Sequence, residues 1–278
     1  MRRPLAIAAC VLIVAAPIAA FVSCDGESYP SMAVGGATID VRVLDTRAER
    51  LDAMIKYGEA DPFVPMLMAY PRERRIHLHT EQVNRGFDVV FLSPAGTVVD
   101  FQALPARTAA GITSAKPAAL ALLMAEGAWA ASGAVVGATL TPPPMQSVED
   151  LYPIEFQGKP ARLWAEAVTD GPGRARGLMY RTALNDDEGM IFKYASASDH
   201  HFWMKNTRVP LSIAFFNEDG LIVTIRGPML PGDEKTQHRP DAPVQYALEV
   251  NFGWFEKNGI KEGDVIVLPR AIKDMRVK

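Results

Sequence analysis

One spacing governs this chain. Gly127, Gly133 and Gly137 stand 126 residues ahead of Gly253, Gly259 and Gly263, and Pro117, Ala121 and Leu122 precede Pro243, Ala247 and Leu248 by the same interval. Upstream the interval is 124: Tyr70, His77, Phe91 and Gly96 lie ahead of Tyr194, His201, Phe215 and Gly220. Met54 precedes Met179 by 125. The second copy therefore gains two residues between Gly220 and Pro243, inside the Pro/Gly-rich stretch RGPMLPGDEKTQHRPDAP, where extra length costs little. A register kept over glycine and apolar positions marks one module folded twice. The boundaries read as a first module over 37–140, a linker over 141–154 stiffened by Pro142, Pro143 and Pro144, and a second module over 155–270.

Each module reads as mostly β with short helices, which predicts two tandem, small, barrel-like units. In the second, strands are expected at 161–168, 211–216, 221–225 and 264–268, with Asn217-Glu218-Asp219-Gly220 as a hairpin loop. A short helix is expected around 253–258, stopped by Gly259. In the first, the Ala-rich run 117–132 reads as a longer helix. Phe202, Trp203 and Met204 read as a buried strand with Lys205 and Asn206 at its end.

Residues 1–24 carry Arg2 and Arg3 before an apolar run from Leu5 to Val22, the pattern of an export signal. Phe21-Val22-Ser23-Cys24 is similar to a bacterial lipoprotein box, in which Cys24 would be lipidated. The run is also long enough for an uncleaved anchor, and plain secretion is the third alternative. All three place the modules outside the cytoplasm, and the first two hold them on the periplasmic side of a membrane through an N-terminal lipid or anchor. Cys10 and Cys24 are the only cysteines, so the modules hold no disulfide, cysteine metal site or thiol nucleophile. A net charge of −3 without a basic, aromatic-laced stripe argues against nucleic acid as a partner. No phosphate-cradling glycine loop, serine elbow or zinc-helix motif occurs, and no cofactor or metal is expected.

RGLMYRTALNDDEGMIFKY (176–194), FWMKNTRVPLSIAFF (202–216) and YALEVNFGWFEKNGIKEGDVI (246–266) resemble the bacterial and archaeal family known as domain of unknown function 192. The resemblance covers about residues 160–268. It implies a small β-rich fold and no activity. Relatives often carry a cysteine in the loop after the hairpin; this loop has none.

The resemblance and the residue pattern single out one polar set: Arg181, Trp203, Lys205, Asn206, Glu249 and Asn251. Alternation puts Glu249 and Asn251 on one strand face and Leu248 and Val250 on the other. The first copy replaces the set. Lys205 falls opposite Glu81, Asn206 opposite Gln82, Trp203 opposite His79, Glu249 opposite Leu123 and Asn251 opposite Ala125; only Arg181 meets a cation, Lys56. Polar residues kept by one copy alone point to a site there. Ordinary readings stand beside this one: core packing for Trp203 and Met204, and a structural ion pair for Lys205 with Glu249. His77 and His79 share a strand face without a second ligand pair. Three functions follow: a binding module for a small polar or anionic ligand, with the loop 226–243 as rim; a hydrolase-like enzyme using Glu249 and Lys205; or a structural, protein-interacting module.

Overall fold

A computed structural model describes residues 29–145, 151–181 and 183–278, the side chains of residues 48 and 51 excepted. Cys24 and the apolar leader lie outside the described residues, as do residues 146–150 of the linker. The described chain falls into two compact units, one on either side of residues 148–149.

The first unit opens with the hairpin β1 (Ser31–Val34) and β2 (Ala37–Asp40), then β3 (Arg42–Leu44) and α1 (Arg47–Tyr57). It continues through β4 (Met66–Arg74), β5 (His77–Leu78), β6 (Phe87–Leu92), β7 (Val98–Leu104), β8 (Ile112–Thr113), β9 (Ala118–Ala125) and α2 (Ala128–Ser132). Its main sheet has the order β3-β4-β9-β6-β7, and β5 pairs with β8. Helix α1 is started by a capping box: the Thr46 hydroxyl accepts from the Glu49 N–H, and the Glu49 carboxylate accepts from the Thr46 N–H.

The run 117–132 is not one helix. Residues 118–125 form the central strand β9, buried on both faces between β4 and β6. Such a strand is apolar at every position, so periodicity cannot distinguish it from a buried helix. Only its last five residues are helical, set off by Gly127 in the left-handed conformation.

The second unit comprises β10 (Tyr152–Phe156), β11 (Arg162–Val168), α3 (Gly171–Arg176), β12 (Glu188–Ser198), β13 (Leu211–Phe216), β14 (Ile222–Met229), β15 (Val244–Asn251), α4 (Trp254–Lys257), β16 (Ile266–Val267) and α5 (Arg270–Asp274). One sheet runs β14-β13-β15-β12-β11-β10-β16, antiparallel throughout except for the parallel β11–β12 pair. The sheet closes on itself. Leu221, at the start of the β14 edge, bridges to Val265, just before β16 at the other edge. The Ile266 N–H donates to the Gly220 carbonyl and the Ile222 N–H to the Asp264 carbonyl. This barrel-like wrap leaves two cores on opposite sheet faces, one holding Leu248, Val250 and Trp254, the other Met190, Phe192 and Ala247.

The seam explains one conserved spacing. Gly220 has φ +87°, and a Cβ there would lie 2.1 Å from the Ile266 carbonyl oxygen. Gly96 in the first unit has φ +81°, and its Cβ would lie 2.1 Å from the Leu140 carbonyl oxygen. Both positions exclude a side chain twice over, by backbone conformation and by contact.

The C-terminal helix is tied down by a buried cation. Lys193 Nζ on β12 donates to the carbonyls of Ile272, Lys273 and Met275 at 3.2, 2.6 and 2.8 Å, the open end of α5. Lys193→Met strands those carbonyls and is expected to release α5 before global unfolding, read as lost amide protection over 270–278. Gly220→Ala is expected to lower the stability of the second unit by about 2–4 kcal/mol in chemical denaturation. A change below 0.5 kcal/mol would show that the seam does not carry the closure.

Candidate functional site

The helix after the first crossover strand sets the site. In the first unit α1 runs eleven residues. Its counterpart α3 runs six, capped by Asp170, whose carboxylate accepts from the Gly173 N–H at 2.7 Å. Gly171 and Gly173 are poor helix formers, and Gly177 then takes φ 45°, ψ −128°, which stops the helix. The chain unwinds past Leu178, and a cleft of about 220 Å³ remains beside the last turn. Arg174 and Arg176, Phe192 and Tyr194 of β12, and the exposed Trp203 line it. Glu249 of β15 also lines it.

Glu249 sits in a transverse row across four strands, Glu166–Met190–Glu249–Ile213. Alternation turns Glu249 away from Leu248 and Val250, which join the opposite core. Strands lie about 4.8 Å apart, so the backbones of Glu166 and Glu249 are about 10 Å apart. Arg181 Nη2 donates to Glu166 Oε2 at 2.5 Å, with both side chains largely shielded from water. The Glu249 side chain makes no hydrogen bond or ion pair within the described residues, although the residue is only 5% exposed. Burial pushes its carboxyl up to about 8, and the nearby Arg181 charge offsets only part of that. At neutral pH Glu249 is a neutral acid, able to donate one hydrogen bond and accept others.

Tyr194 also lines the cleft, within electrostatic reach of both Arg174 and Glu249. Burial lifts its hydroxyl to about 12, opposed by Arg174 and reinforced by Glu249. His200 stacks on its ring at 3.4 Å between centroids, and the Arg174 guanidinium lies 5.1 Å from the ring centroid. Arg174 Nη1 donates to the Thr169 and Lys193 carbonyls. No carboxylate pairs with Arg174 among the described residues.

The segment 201–206 differs from expectation. It is extended and turned rather than a strand: only Phe202 bridges, to His238, and the Met204 N–H donates to the Asp233 carbonyl. Phe202 and Met204 are buried, whereas Trp203 is 46% exposed. The two-residue alternation in FWM is real, but its partners are the loop 230–238, not a sheet edge. That loop supports the cleft wall from behind; no residue of 226–243 lines the cleft among the described residues.

Of the six polar residues singled out, the fold brings Trp203 and Glu249 to the cleft. Lys205 Nζ lies 5.2 Å from the Trp203 ring centroid and makes no ion pair with Glu249. Asn206, at φ 54°, donates from Nδ2 to the Tyr180 hydroxyl at 2.9 Å. Asn251 donates to the Leu184 and Asn185 carbonyls at 3.1 and 3.0 Å, tying down the chain after α3. Arg181 is paired with Glu166 and does not line the cleft. These four hold the walls rather than line them. The sequence reading missed Arg174, Tyr194 and Glu166. Tyr194 had a signal in its match to Tyr70, which looked like framework; Arg174 had none beyond its charge.

The corresponding row in the first unit is Arg42–Met66–Leu123–Val89. Leu123 is fully buried among core residues.

A family model, DUF192, described as an uncharacterized ACR, matches residues 31–142 and again 154–268. The chain belongs to the DUF192 family, twice over. Two solved structures are similar to it. One, a proposed transcription regulator from Sinorhizobium meliloti, is 30% identical, with 45% of this chain and 98% of that chain covered and a TM-score of 0.41. The other, a protein of unknown function from Novosphingobium aromaticivorans, is 35% identical, with 42% of this chain and 84% of that chain covered and a TM-score of 0.39. No curated protein matches.

The raised Glu249 carboxyl makes stability depend on pH. The folded chain keeps this proton between about 4.5 and 8, where the unfolded chain loses it. Stability therefore falls as pH rises through that window, by about 3–5 kcal/mol in total, and stays low above it. Glu249→Gln lacks the ionisation. Its melting temperature is expected to exceed that of the unsubstituted protein at pH 8.5 and to approach it at pH 5. Parallel curves across this range would contradict the assignment.

Proposed function

We propose that the second DUF192 module is a binding module for a small polar or anionic ligand, and that the protein is exported and held at the periplasmic face of a membrane. One observation carries the binding reading: a largely buried carboxyl group, without a hydrogen-bond partner among the described residues, faces a cleft that also presents an arginine without a carboxylate among those residues. Desolvating such a group costs free energy that a purely structural role would recover through a hydrogen bond. A ligand donor or acceptor supplies the missing partner. The exposed Trp203 ring and the Tyr194–His200 stack give the cleft apolar walls, the usual setting for a few oriented polar groups. The first module, with Leu123 in place of Glu249, acts as scaffold or partner surface. The export reading rests on Arg2, Arg3, the apolar run 5–22 and Cys24.

Glu249→Leu copies the first module's choice into the second and should fold, since Leu123 occupies the equivalent place. A thermal-shift screen of the full chain against small envelope metabolites is expected to yield stabilising compounds that lose their effect in Glu249→Leu and weaken at least fivefold in Trp203→Ala. Compounds that stabilise all three proteins equally would place binding elsewhere.

A further inference from the structure

Arg174 and Glu249 line the same cleft, and the inference drawn from them rests on the binding reading above. The guanidinium of Arg174 is fixed from behind by two backbone carbonyls and laid against Tyr194, so its charge is oriented at no further entropic cost. Its remaining donors are not used by a carboxylate of the described residues. Tyr194 lies within electrostatic reach of both Arg174 and Glu249, and the acid group of Glu249 has no hydrogen-bond partner among the described residues. A cleft of about 220 Å³ is large enough for one ring and two polar groups, and its cationic end and neutral acid end ask for different things. The arginine asks for an anion in a planar fork. The acid, shielded from water, asks for an oxygen that accepts its proton in a hydrogen bond.

We propose that the cleft binds a small ring-bearing organic acid, with its carboxylate on Arg174 and an oxygen at the far end of the ring on the Glu249 side chain. The ring lies along Tyr194 toward Trp203. Aromatic hydroxy acids and sugar acids share this chemistry, and they differ in the ring face presented to Trp203.

Protonation is part of the recognition. An acid bound beside an ionised Glu249 would add a second negative charge to a site that shields charge poorly, so binding requires the proton to stay. The groups that face Glu249 are Arg181 after α3, itself held by Glu166 of β11; Tyr194 of β12; and Arg174 and Arg176 of α3 beyond it. Ile213 of β13 is apolar. His201, paired with Asp199 at 3.3 Å, lines the mouth and is the imidazole to remove as a control.

Calorimetry on the full chain is the test, with 4-(hydroxymethyl)benzoate and glucuronate as acids and 4-(hydroxymethyl)benzamide and glucose as neutral counterparts, none of which titrates between pH 7 and 9.5. At pH 7 at least one acid is expected to bind tenfold or more tightly than its neutral counterpart, and Arg174→Met should erase that preference. Between pH 7.5 and 9.5 affinity for the acid should fall about tenfold or more, unchanged in a His201→Gln background, whereas Glu249→Gln should bind with a flat pH profile. The inference is overturned if neutral compounds bind as tightly as the acids, or if affinity stays flat to pH 9.5 in the unsubstituted protein. Neutral compounds that alone bind, and are lost in Glu249→Leu, would leave the binding module standing and remove only its acid specificity. If no compound in this set or in the wider screen binds, both readings fall.

Discussion

The second half of this protein depends on a sheet that closes at a glycine. At Gly220 the chain turns with positive φ and presses its backbone against the Ile266 carbonyl of the opposite edge, where a Cβ would lie 2.1 Å from oxygen; Gly96 in the first half meets the Leu140 carbonyl at the same distance. No side chain can be accommodated there, so the turn and the seam are one constraint. The closure fixes which face of each strand meets which core. In the second unit it holds β15 with Leu248 and Val250 on one side and Glu249 on the other. The placement of an acid on the cleft face of β15 follows from the register of that strand.

The two copies share this frame and differ in what they put into it. The first continues its helix for eleven residues and fills the row position with Leu123. The second cuts the helix at Gly177, which opens the cleft, and places Glu249 at its wall. One copy thus recovers the energy of a complete apolar core, while the other carries a desolvated acid. Such a cost is tolerated where a site needs it. Arg181 on Glu166 moderates the cost without cancelling it, because its charge is already balanced by its own partner.

Much of this frame could be read from the amino-acid order. The glycine spacing identified the repeat, and glycines matched in that way share backbone geometry: Gly127 and Gly253 both lie near φ +80°, Gly133 and Gly259 near +70°. The hairpin at 217–220 and the helix before Gly259 were equally legible, since turn chemistry is local. The strand β9 was not, because burial on both faces removes the alternation that reveals a strand. Within the polar set, alternation located Glu249, yet residue type could not separate groups that line a cleft from groups that brace it. Asn206 and Asn251 spend their amides on Tyr180 and on the carbonyls after α3, pairings made only in three dimensions. Arg174 escaped notice because a lone arginine in a short helix carries no pattern.

The central claim is that Glu249 is a neutral acid in the folded protein at physiological pH. Carboxyl carbon NMR on glutamate-labelled protein, with the signal assigned through Glu249→Gln, measures this directly. The account predicts a midpoint near 8 for that carbon while the exposed glutamates titrate in their ordinary range. A Glu249 midpoint between 4 and 5 would mean that the group is ionised and hydrated at neutral pH, and the site as described would not exist.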